Sequence, residues 1–129
     1  MTTDEVQSII SYAYPLIQKY FGKGKLPIPK IDTSHKNTYA MHSGEPEAQG
    51  EHDTTSIAEY YKGVIYLYLP NITNEKELII ALIHEYTHYL QNITPLKTSV
   101  ANQRYKYEDN PYEKEAHANE KRWEEFLQK

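Results

Sequence analysis

The stretch IIALIHEYTHYLQNI, residues 79–93, sets His84, Glu85 and His88 in an otherwise largely apolar run. Burying ionisable groups costs several kcal/mol unless something pairs with them. The spacing supplies a partner. On a helix, residues i and i+4 share one face, one turn apart, so His84 and His88 can aim their imidazoles at a single point. Neutral imidazole is a good zinc ligand, and a catalytic zinc takes three protein ligands and a water. Glu85 follows the first ligand, rotated by about 100° around the axis. It can reach the water without being a ligand, which is the arrangement for metal-assisted hydrolysis. The purely structural alternative makes the two histidines hydrogen-bonded core residues and Glu85 a solvated acid.

A third ligand has to come from elsewhere, and NPYEKEAHANE, residues 110–120, offers Glu113, Glu115 and His117. If Tyr112, Ala116, Asn119 and Trp123 form the inward face of one helix, Glu115 lies about 70° from its centre, Glu113 about 90° on the other side and His117 about 130° away. That orders the candidates Glu115, Glu113, His117 and leaves Glu120, Lys121 and Glu124 on a solvated face.

The elements that position these groups are legible in outline. Residues 3–22 carry Val6, Ile9, Ile10, Ala13, Leu16, Ile17 and Tyr20 in the rhythm of one buried helix face. Thr2 and Glu5 have capping-box spacing, Pro15 predicts a kink or break near Tyr14, and Gly22 and Gly24 end the helix. Leu26–Thr33 reads as a short strand, and residues 34–53 as an irregular loop or lid. Within that loop His35, His42 and His52 lack ligand spacing and read as surface residues. Glu45, Glu47, Glu51 and Asp53 make its second half acidic. SIAEYYKGVIYLYLP predicts a hairpin turning at Lys62-Gly63, with Val64, Tyr66 and Tyr68 on one face and Ile65, Leu67 and Leu69 on the other. A free edge of this second strand would suit an extended peptide. The helix bearing His84 is capped by Asn74, has Glu77 in the capping-box place, and runs to about Asn92, short of Pro95. A last helix opens at Asn110-Pro111 and carries Tyr112, Ala116, Trp123, Phe126 and Leu127 on one side. One α+β domain over residues 1–129 is the simplest architecture.

Composition narrows the function classes. A net charge of −4 argues against nucleic acid as a partner. The chain has no cysteine, so any metal must be held by His and carboxylates. No basic leader and no run of about 18 apolar residues is present, so a cytoplasmic protein with no membrane partner is expected. Tyrosine is unusually frequent, at 13 residues against two Phe, and suits rims and half-wet clefts.

HEYTHYLQ followed by YEKEAHAN resembles the gluzincin zinc metallopeptidases, whose third ligand is a glutamate on a later helix, and is most similar to the compact bacterial and phage ImmA/IrrE-like members. The resemblance covers residues 57–129 loosely. It implies a zincin-like domain with an N-terminal helix, a small antiparallel or mixed sheet, a central HExxH helix and a C-terminal helix carrying the third ligand. It also implies Zn2+ held by His84, His88 and Glu115, with Glu85 as general acid/base in the hydrolysis of a protein or peptide substrate. Asn119 falls where related enzymes often have an acid that orients a ligand imidazole. Similarity to SprT-like peptidases, whose third ligand is a histidine, keeps His117 in view. Tyr105, Tyr107 or His117 are the candidates for stabilising an oxyanion. The alternative reading is a non-catalytic zinc-binding regulatory or phage accessory protein.

Overall fold

A computed structural model of the chain describes residues 1–45, 56–91 and 110–127. It is α+β, with four helices and a mixed three-stranded sheet among the described residues. Helix α1 spans Thr3–Phe21 and buries Val6, Ile9, Ile10, Ala13, Tyr14 and Ile17. The Thr2/Glu5 capping box forms in both directions, and Gly22 ends the helix at φ 85°. The break expected at Pro15 does not occur: the residue lies inside one continuous helix, on its exposed side. There the carbonyl of Ser11, robbed of its donor, faces water and needs no protein partner.

Strand β1 covers only Lys30–Asp32, because Pro27 and Pro29 lack the donors that would extend it. Residues 38–43 form a short helix, α2 (Thr38–Ser43), where an irregular loop was expected. Asn37 caps it by accepting from the Ala40 N–H at 2.7 Å. The part of that segment from residue 46 on, with Glu47, Glu51, His52 and Asp53, lies outside the described residues. β2 (Ala58–Tyr61) and β3 (Val64–Leu67) form the expected hairpin, turning through Lys62 and Gly63 at φ 47° and 83°. Positive φ at both turn residues matches the right-handed twist of the strands.

The sheet order is β1-β3-β2, with β1 parallel and β2 antiparallel to β3. This corrects one expectation. β3 is the central strand and has no free edge, so the edge that faces the HExxH helix belongs to β2. On β3, Ile65 and Leu67 are fully buried, as the alternation required.

Helix α3 spans Glu75–Gln91. Asn74 caps it by accepting from the Glu77 N–H at 2.9 Å, while the Glu77 carboxylate reaches one residue further back, to Thr73. Leu78, Ile79, Leu82 and Ile83 are completely buried, so the helix is anchored before its titratable residues begin. Burying each such side chain contributes about 1.5–3 kcal/mol. Tyrosines complete the anchor with their polar tips. Tyr86 and Tyr89 donate to the carbonyls of Gly22 and Leu26, and Tyr14 to that of Pro29 at 2.7 Å, which ties down the α1–β1 connection. The last helix, α4 (Pro111–Glu120), is shorter than expected. Trp123–Phe126 form a separate 3-10 turn, whose buried Phe126 packs on Tyr20 at 5.6 Å between ring centroids. No described helix is long and apolar enough to cross a membrane.

Candidate metal centre

The i, i+4 spacing on α3 brings the rings of His84 and His88 together edge to face, with centroids 4.7 Å apart and Nε2 atoms 3.1 Å apart. Across from them stands the first turn of α4, fixed by Pro111 and by the Asn110 side chain accepting from the Tyr112 N–H at 2.9 Å. From that turn Glu113 projects its carboxylate between the rings. Oε1 lies 3.0 Å from His88 Nε2 and Oε2 lies 3.2 Å from His84 Nε2. All three side chains are only 14–17% exposed.

Glu113, and not Glu115, is therefore the carboxylate brought to the two imidazoles. Glu115 is exposed and meets the Gln91 amide at 3.2 Å instead. The helix-face reading favoured Glu115 because Tyr112 and Asn119, averaged with Ala116, set the centre of the inward face about 30° from Ala116 on the Glu115 side. Ala116 is the buried residue of α4. Measured from it, Glu113 lies about 60° around the axis and Glu115 about 100°. His117 lies off this trio, half exposed, with its ring centroid 5.1 Å from that of His84.

Two acceptors fix the tautomers. His84 Nδ1 lies 2.8 Å from Glu120 Oε1, and His88 Nδ1 lies 2.9 Å from Gln91 Oε1. The Gln91 amide is oriented by its NH2, which donates to the Tyr112 carbonyl at 2.9 Å. Both partners can only accept, so each imidazole carries its proton on Nδ1 and turns its Nε2 lone pair inward. Asn119, the residue expected to orient a ligand, donates to Thr87 Oγ1 at 3.1 Å instead. Glu120 and Gln91 were not singled out from the sequence. The available signals were positional: Gln91 is one turn past His88, and Glu120 is two turns past Glu113 on the same side of α4.

The consequence is a convergence of electron pairs. Two Nε2 lone pairs and a carboxylate meet within 3.0–3.2 Å, and Glu113 Oε2 is buried with no donor reaching it in hydrogen-bond geometry. A cation bound between them, or protons on the imidazoles, satisfies that arrangement. Zinc bonds of about 2.0–2.1 Å at a tetrahedral angle separate ligand atoms by about 3.3 Å, close to the observed spacing. The donor set thus fits a divalent metal of the zinc type. Without one, protons take the place. Burial opposes charging His84, yet the carboxylates of Glu113 and Glu120 outweigh it and push the imidazole up to about 10. His88 is raised in the same way, burial again opposing and Glu113 prevailing. Burial also works against ionised Glu113, but the two imidazoles hold it well below the usual carboxylate range.

Glu85 follows His84 on α3 and reaches the sheet. Its Oε1 accepts from the Tyr60 N–H of β2 at 2.9 Å, and only 8% of the residue is exposed. Tyr60 pairs with Ile65 across the hairpin, and Tyr61 with Val64 closes the turn. This alternation turns the Tyr60 N–H outward, toward α3. Burial raises the Glu85 carboxyl, and the two imidazoles and the Tyr60 N–H pull back only part of that shift. Two of the histidines read as surface residues, His42 and His35, have local partners. His42 holds Glu59 at 3.0 Å and His35 sits 3.5 Å from Asp32. Tyr105 and Tyr107 lie outside the described residues.

Glu120 offers a direct check on this centre. Glu120→Gln weakens the acceptor that holds His84 in its metal-ready tautomer. The expected loss of zinc affinity is about 10- to 100-fold, read by competition with a chromophoric chelator. An unchanged affinity would mean that Glu120 does not position His84.

Comparison with protein-family models, with curated proteins and with solved structures finds no match.

Proposed function

We propose that the chain is a zinc-dependent peptidase in which His84, His88 and Glu113 hold the metal and Glu85 is the general acid/base. The observation that carries this reading is the convergence of two Nε2 lone pairs and the Glu113 carboxylate on one point, beside a buried glutamate. Zinc at that point would supply Lewis acidity, lowering the pKa of a water and polarising a carbonyl.

The rest falls to the chain's own groups. Glu85 holds Tyr60 through Oε1, which leaves Oε2 to take a proton from the water and pass it to the departing amine. Its raised pKa suits that exchange, because a carboxyl of ordinary acidity returns a proton less readily near neutrality. Glu120 and Gln91 keep the imidazoles in the Nδ1–H form. The edge of β2 runs beside Glu85 and would border the substrate.

One observation favours a second reading. The Tyr60–Glu85 hydrogen bond clamps β2 to α3, so a non-catalytic zinc-binding regulatory or accessory domain would also keep Glu85. Metal content and hydrolysis together test the proposal. Protein purified without chelator should contain zinc, cleave an unstructured polypeptide, lose cleavage on chelation and regain it with zinc. A chain that neither contains nor takes up zinc would sink the metal centre. A chain that holds zinc and cleaves nothing would favour the accessory reading.

A further inference from the structure

We propose that the chain binds a second, weaker zinc-type ion between His117, Glu120 and Nδ1 of His84. The proposal rests on the zinc reading above only through His84, which the two centres share. The ring of His84 separates two clusters. Its Nε2 faces Glu113 and His88, while its Nδ1 faces Glu120 Oε1 at 2.8 Å. The other oxygen of Glu120 lies 2.9 Å from His117 Nδ1. One ligand atom from each of the three residues lies within 4.8 Å of the others. Among the described residues, only this trio and the primary one gather three such groups so closely.

Access and chemistry differ between the two faces. Side-chain exposure rises from 14% at His84 to 21% at Glu120 and 51% at His117, so the outer cluster opens to water on the far side of the ring. His117 and Glu120 stand at i and i+3 of α4 and can chelate one ion from one helix face. Two imidazoles and a carboxylate suit zinc, copper, nickel or cobalt over magnesium or calcium. The outer site is the weaker for two reasons. Metal on both nitrogens of His84 requires its ring proton to leave to water. The ion also draws Glu120 from the hydrogen bond that orients His84. Zinc beyond one equivalent therefore loosens the primary centre.

Calorimetric titration of the metal-free chain with Zn2+ alone decides the matter. The expected result is two binding steps, the second at least about tenfold weaker. His117→Ala should remove the weak step and keep the tight one, and Glu113→Gln should remove the tight step and keep the weak one. His117 is half exposed, so its replacement leaves the packing intact, and unchanged circular dichroism checks this. A single step that Glu113→Gln removes would overturn the outer site and leave the primary centre standing. A single step that His117→Ala removes would overturn the primary centre and support the outer one. Two steps that both survive His117→Ala, or no binding at all, would overturn the outer site.

Discussion

Glu113→Gln should lower the zinc affinity of the centre between His84 and His88 by more than about 100-fold, whereas Glu115→Gln should leave it nearly unchanged. The first figure follows from what the substitution removes. Groups that only orient a ligand cost about 10- to 100-fold when lost, and Glu113 is the charged member of the trio itself. Glutamine has nearly the same shape but brings a neutral amide, whose NH2 is repelled by the metal and by neither imidazole. Glu115 is exposed and touches the cluster only through Gln91, which keeps its hydrogen bond to the Tyr112 carbonyl when Glu115 changes. Chelator competition on both variants, at one pH, measures the contrast. A larger loss in Glu115→Gln than in Glu113→Gln would return the third ligand to Glu115.

The same pair of residues marks where the sequence was readable. The placing of His84, Glu85 and His88 on one helix, with the two imidazoles together, was legible because the geometry inside one helix is fixed by its pitch. The apolar run before them, its Asn74 cap and the Lys62-Gly63 turn were legible for the same reason, each being set by near neighbours. What was not legible depended on how elements meet. The Glu113–Glu115 choice turned on the buried face of α4, and a helix with one buried residue, Ala116, gives periodicity almost nothing to find. Counting the half-buried Tyr112 and Asn119 on the inward face then rotated its centre about 30° from Ala116 toward Glu115. Glu120 looked like one more surface acid, because a carboxylate's partner 36 positions away leaves no local trace. The central place of β3 was hidden likewise. Alternation shows which side chains are buried, but not whether a short parallel strand such as Lys30–Asp32 will add itself to the edge.

Glu85→Gln separates the two readings of the centre, because the substitution can keep the structural role of the residue while removing its chemistry. The amide oxygen can still accept from the Tyr60 N–H, so the tie between β2 and α3 survives. It also removes a carboxyl that burial already disfavours in its charged form, so stability should hold or rise slightly. The metal ligands are untouched, and zinc content should stay at the wild-type level. What disappears is the proton acceptor. General acid–base catalysis contributes about 10²- to 10⁴-fold, and hydrolysis should fall by that factor. Glu85→Ala is the contrasting variant. It also loses hydrolysis, but it leaves the Tyr60 N–H without its acceptor, at a cost of about 1–3 kcal/mol. Thermal melts and cleavage assays on the two variants therefore diverge in stability and agree in inactivity if Glu85 moves the proton. Full hydrolysis by the glutamine variant, with destabilisation confined to the alanine variant, would leave Glu85 as a clamp between β2 and α3 and nothing more.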